Sequence, residues 1–80
     1  MNKHEIIKRI RQKIDACQSI RLQPMQLRMS QELLQKVAKE ENIKLPDKYY
    51  NDIIVGETEL TIYGIHIIID PLYKNPYVLP

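Results

Sequence analysis

Eighty residues, 44% of them hydrophobic, suffice for one domain, 1–80, that buries roughly 60% of the surface its unfolded chain exposes, so a further subunit or partner would add stability. A lone cysteine, Cys17, excludes an internal disulfide, no Cys/His spacing suits zinc, and no run approaches the apolar length that spans a membrane; a reducing cytoplasm with no leader segment is the expectation. The net charge of +2 hides a division after Arg28: seven basic residues against two acidic ones before it, net +5, and five against eight after it, net −3.

Residues 1–18 are expected to form a basic N-terminal helix. Ile7, Ile10, Ile14 and Cys17 recur at steps of 3, 4 and 3, with Ile6 alongside, which is one apolar stripe of an amphipathic helix. At about 100° per residue, Lys8, Arg9, Arg11 and Lys13 fan around the whole polar side. A solvated face is the expected reading, and contact with an anion or a nucleic-acid phosphate is the alternative.

Residues 19–72 form a strand-helix-strand core. In "SIRLQPMQLRMS", Ile20 and Leu22 alternate with polar residues, and Met25, Leu27 and Met29 alternate in the opposite parity after Pro24. This predicts either one strand broken at the proline or two short ones, with 25–29 the better defined. Ser30 has the chemistry of an N-cap, Glu32 suits the positive end of a helix, and Met29 and Leu34 have staple spacing. The helix runs to about Glu41 and buries Leu33, Leu34, Val37 and Ala38. Between 44 and 58, Pro46 and Gly56 punctuate a segment rich in tyrosine and isoleucine, read as a helical turn within a packed loop.

In "ELTIYGIHIIID", Leu60 and Ile62 share one parity, whereas Ile65, Ile67 and Ile69 share the other. A two-residue hairpin favours Asn-Gly at its corner, and only Gly64 is present, so the prediction is one long strand kinked at a Gly64 bulge. Residues 73–80 form an extended tail in which Tyr77, Val78 and Leu79 add a brief edge strand. The whole predicts an α+β fold, two amphipathic helices packed on one face of a small, mostly antiparallel sheet in the order α-β-α-β-β.

Candidate chemistry is sparse. His66 falls on the opposite strand face from Ile65 and Ile67, and Asp70, four residues on, lies roughly 13 Å away in an extended strand, too far to pair with it. His4, beside Glu5 on a first helical turn, has no clustered co-ligands, and Cys17 ends an apolar stripe as core filling. The two glycines make no phosphate loop. No metal or other cofactor is expected, and the chain reads as a non-enzyme.

Two features of the sequence bear on partners. The tyrosines Tyr49, Tyr50, Tyr63, Tyr73 and Tyr77 all lie in the acidic part, away from the basic residues, so the interleaving of a single-strand platform is missing and a protein interface is the expected use. The rival is a nucleic-acid-associated regulator that meets phosphates through Lys8, Arg9, Arg11 and Lys13. A small-ligand pocket between subunits is a third possibility.

The order "LRMSQELLQKVAKE" followed by "ELTIYGIHIIIDP" resembles a pattern near the C-terminus of tailed-phage major capsid proteins and some small phage open reading frames. There, an apolar strand ends in Met, a capped helix follows, and a "GxPVxxxD"-like strand comes later. Met29 and Ser30 match the junction, and Gly64, Ile67 and Asp70 are set against the later strand, with Asp70 one residue before the pattern's aspartate; His66 stands where the pattern carries proline. The resemblance spans about residues 25–72. It implies a phage or prophage origin, the cytoplasm of a bacterial host, and a subunit-contact role: a virion accessory protein, or an inhibitor of a host enzyme, binding a protein partner or its own copies.

Overall fold

A computed structural model describes residues 5–80. The fold is α+β. Helix α1, Glu5–Ser19, is followed by strand β1, Gln26–Met29, helix α2, Gln31–Glu40, a single turn α3, Lys48–Asn51, and strands β2, Gly56–Ile62, β3, Ile65–Ile69, and β4, Tyr77–Leu79. His4 lies outside the described residues.

The four strands form a mixed sheet in the order β2-β3-β1-β4. Two of its pairings are antiparallel, β2 with β3 and β1 with β4, and the central pairing of β1 with β3 is parallel, with Leu27 opposite Ile67 and Met29 opposite Ile69. Both long helices cover the same face. The stripe Ile7, Ile10 and Ile14 of α1 and the residues Leu33, Leu34, Val37 and Ala38 of α2 pack in one core with Leu27, Met29, Ile65, Ile67 and Ile69. Glu40 of α2 joins the helices, its Oε1 accepting from the Ile6 amide of the first turn of α1 at 3.0 Å.

Local chemistry sets the boundaries. Ser30 caps α2 by accepting from the Leu33 amide at 3.2 Å. Both long helices end in the paired hydrogen bonds of a Schellman motif. In α1, Arg21 N donates to Gln18 O and Leu22 N to Cys17 O; in α2, Asn42 N donates to Lys39 O and Ile43 N to Ala38 O. Each motif places one residue in the left-handed region, Asn42 at φ 56° and Arg21 at φ 62°. Residues 20–22 therefore close a helix and form no strand, which corrects half of the expectation for 19–29: only the piece after Pro24 pairs, and Ile20 is 66% exposed.

The expected kinked strand over 59–70 is also corrected, because the chain reverses there. Ile62 lies opposite Ile65, and Tyr63 and Gly64 make the corner at φ 53° and 76°, the positive pair of a type I′ turn. The change of parity at Gly64 is what a two-residue corner produces, since positions i and i+3 face each other on one side of the sheet. Glycine does determine the corner, as a turn residue rather than a bulge. A bulge is present seven residues earlier: between Glu57 and Thr61 the register shifts, and Thr58 turns inward, its hydroxyl donating to Ile67 O at 2.8 Å and accepting from Leu60 N at 3.1 Å.

Candidate protein-contact surface

The five tyrosines do not share a surface. Tyr49 is 1% exposed, a core residue placed by α3, and so is withdrawn from any interface; Lys48 Nζ lies 5.2 Å from its ring centroid. Its identity misled because a tyrosine beside Pro46-Asp47 reads as loop decoration, whereas the turn α3 swings it under α2. Tyr50 stands on the outer side of α2 near Lys36 and Lys39, and Tyr63 sits at the β2–β3 corner facing Arg11 across a groove. Tyr73 and Tyr77 pair at 5.4 Å at the β4 edge.

The basic residues of α1 diverge as well. Arg9 is held by Glu5 at 3.1 Å and by Asn75 at 3.3 Å, Lys13 reaches to 5.8 Å from the Tyr77 ring, and Arg11 points to the other flank of the helix, toward Tyr63. Lys8 is exposed. Arg9 and Lys13, four residues apart, share the flank that faces residues 75–77, and Arg11 lies on the other.

His66 and Asp70 are separately engaged. His66 Nε2 donates to the Thr58 carbonyl at 2.6 Å, which fixes the proton on that nitrogen and satisfies a carbonyl that the bulge removes from the strand ladder. Asp70 Oδ2 accepts from Arg28 Nη1 at 3.3 Å and its Oδ1 from the Leu72 amide at 3.0 Å. The Cys17 thiol is buried and donates to Leu22 O at 3.5 Å. Among the described residues no cluster of His, Cys, Asp and Glu is arranged to hold a metal ion, and no helix is long and apolar enough to cross a membrane.

The second face of the sheet carries Gln26, Arg28, Thr61, His66 and Ile68 and has neither long helix on it. Ile68 is nonetheless only 7% exposed, flanked in register by Arg28 and Glu57, whose long side chains shield it. Both sheet edges are blunted. The bulge interrupts β2, and β4 is three residues long between Pro76 and Pro80.

The two most exposed aliphatic side chains stand at one end of the sheet, where β1 and β3 finish and β2 begins. Ile53 is 95% exposed, Leu72 88% and Val55 65%. Ile53, Val55 and Pro71 line one cavity of about 360 Å³ whose floor is Ile69 and whose rim bears Glu32 and Lys74. The backbone that presents Ile53 is fixed. Gln31 Nε2 donates to Tyr49 O at 3.0 Å and Asp52 O at 2.6 Å, its Oε1 accepts from Ile54 N at 2.9 Å, and Gln35 Nε2 adds a second bond to Tyr49 O at 2.8 Å. Lys48 Nζ ties α3 to β2 through Glu59 at 3.0 Å, and that hydrogen bond, with the carboxylate charge, raises the Lys48 pKa above the ordinary lysine value.

Sequence reasoning weighted the tyrosines and passed over Ile53 and Leu72. The available signal was local: each is a large aliphatic next to turn chemistry, Asp52 before one and Pro71 before the other. Comparison with protein-family models, curated proteins and solved structures finds no match to this chain.

Proposed function

We propose that the chain is a non-enzymatic binding protein that docks a protein partner on the end of the sheet formed by Ile53, Val55, Pro71 and Leu72. One observation carries this reading: Ile53 is 95% exposed at the crest of a loop held by four side-chain hydrogen bonds from Gln31 and Gln35. A loop fixed with an aliphatic group outward has already lost the conformational freedom that binding would otherwise remove. The engagement of His66, Asp70 and Cys17 in structural bonds supports a role without chemistry at those groups. The tailed-phage resemblance of residues 25–72 supplies a setting, an accessory subunit or an inhibitor of a host enzyme in a bacterial cytoplasm.

Photo-crosslinking tests the reading. A benzophenone side chain introduced at position 53 or 72 in the expressing cell should trap a discrete protein adduct, and the same probe at the exposed Lys36 should not. Equal trapping at all three positions, or none at 53 and 72, would defeat it.

A further inference from the structure

The apolar end has a counterpart at the opposite end of the same sheet. There the chain leaves α1 through Ile20 and Leu22, 66% and 44% exposed, and enters β1 beside the last residues of β4, Met25 N donating to Leu79 O at 2.8 Å. Ile20, Leu22, Val78 and Pro80 line a groove of about 250 Å³ with Lys13 on its rim and Cys17 at its floor. Strand register puts the two features at opposite poles: Gly56 pairs with Ile69 near the first, and Gln26 pairs with Leu79 near the second.

The poles differ in charge. Beside Ile53 stand Glu32 and the adjacent Asp52 against Lys74, all exposed, whereas Lys13 lines the groove and Arg21, exposed and adjacent in sequence to Ile20 and Leu22, has no ion-pair partner among the described residues. Arg21 also holds the left-handed position of the α1 Schellman motif, at φ 62°, where glycine would be unstrained. Arg21 thus adds an exposed positive charge next to Ile20 and Leu22.

We infer that the partner is a second copy of this chain, bound head to tail, with the Ile53 loop of one copy seated in the Ile20–Leu22 groove of the next. This rests on the reading that the Ile53 end is a docking surface. The argument for a copy is complementarity within one molecule: an exposed aliphatic knob, the loop that carries Asp52 beside a balanced Glu32 and Lys74, at one pole, and an aliphatic groove accompanied by Lys13 and Arg21 at the other. Because the two surfaces differ, the contact is heterologous, and each added copy presents a fresh knob and a fresh groove. The blunted strand edges leave side-chain docking as the route of growth.

Sedimentation equilibrium of the full chain tests it. The weight-average mass should rise with concentration beyond the dimer, and raising the salt from about 0.05 to 0.5 M should weaken association severalfold. Ile53→Asp and Ile20→Asp should each be monomeric alone, with unchanged circular dichroism, because both side chains are exposed. Mixed in equal amounts they should form a dimer that grows no further, since the intact knob of one variant meets the intact groove of the other. Should Ile20→Asp unfold, Lys13→Glu replaces it. A wild-type chain that stays monomeric at about 1 mM and low salt overturns the inference. So does a mixture that fails to pair, or loss of association with Ile53→Asp and not with either groove variant, which marks a knob-to-knob contact. If the wild type is monomeric and position 53 still crosslinks to another protein, the docking surface stands and only the self-association fails.

Discussion

Replacing Gln31 by alanine removes three hydrogen bonds at once, to Tyr49 O, Asp52 O and Ile54 N. A net hydrogen bond is worth about 0.5–1.5 kcal/mol, but the three losses are not equal. Tyr49 O keeps its bond from Gln35, and Asp52 O can turn to water because Asp52 is exposed; the half-buried Ile54 amide is the group left without a partner. The expected cost is therefore about 1–2 kcal/mol in a domain whose whole stability is of the order of 4–12 kcal/mol. With a urea slope near 1 kcal/mol/M, the unfolding midpoint followed by circular dichroism should drop by about 1–2 M. The Ile54 amide should exchange at least about tenfold faster. Gln31→Glu goes further, because it keeps the acceptor for Ile54 N and turns a carboxylate toward two carbonyl oxygens. That raises the pKa of the new group in the folded state above its unfolded value of about 4.3, so its extra penalty is full above the raised pKa and disappears as pH falls through it toward 4.3. Relative to wild type at each pH, the glutamate variant should thus recover on acidification and the alanine variant should not. An alanine variant within 0.5 kcal/mol of wild type and with Ile54 exchange unchanged would show that the clamp does not hold the loop.

Three further outcomes follow from local geometry. Tyr63→Asn should stabilise the fold by about 0.5–1 kcal/mol in the same urea assay, because tyrosine at φ 53° is strained in a type I′ corner that asparagine adopts readily; a loss of stability would mean that the ring contributes more than the backbone costs. Ser30→Ala should cost about 1 kcal/mol through the Leu33 amide it leaves uncapped, and Ser30→Gly only a few tenths. In NMR titration the Lys48 ammonium should lose its proton above the ordinary lysine value, and Glu59→Gln should bring it back toward that value, since the Glu59 bond is the first cause of the shift. Any stability from that pair is present below the unfolded lysine pKa and fades as pH rises beyond it.

The elements that sequence made legible are those in which one local signal decides the outcome. The stripe Ile7, Ile10, Ile14 and Cys17 buries as its spacing predicts, and Ser30 caps α2 with Leu33, Leu34, Val37 and Ala38 inward. Where two signals compete, the sequence is ambiguous. Ile20 and Leu22 alternate like a strand, yet the hydrogen bonds that close α1 claim them. The corner at Tyr63-Gly64 lacks the favoured asparagine, yet the pairing of Ile62 with Ile65 outweighs the strain at Tyr63. The candidate surface was less legible still. Burial of Tyr49 and exposure of Ile53 depend on Gln31 and Gln35 reaching across from α2, contacts of 14 to 23 residues in sequence separation that no local pattern encodes.

The placement of β3 has a consequence for the chain outside its folded state. "IHIII" combines β-branched side chains, no net charge apart from histidine and no proline, which suits it to cross-β stacking. Flanked by β2 on one side and β1 on the other, it has no free backbone edge while the sheet is intact. Its aggregation hazard is thus gated by global unfolding, so the yield of soluble protein should track thermodynamic stability closely. Core variants should be recovered as insoluble deposits rather than as dispersed unfolded chains.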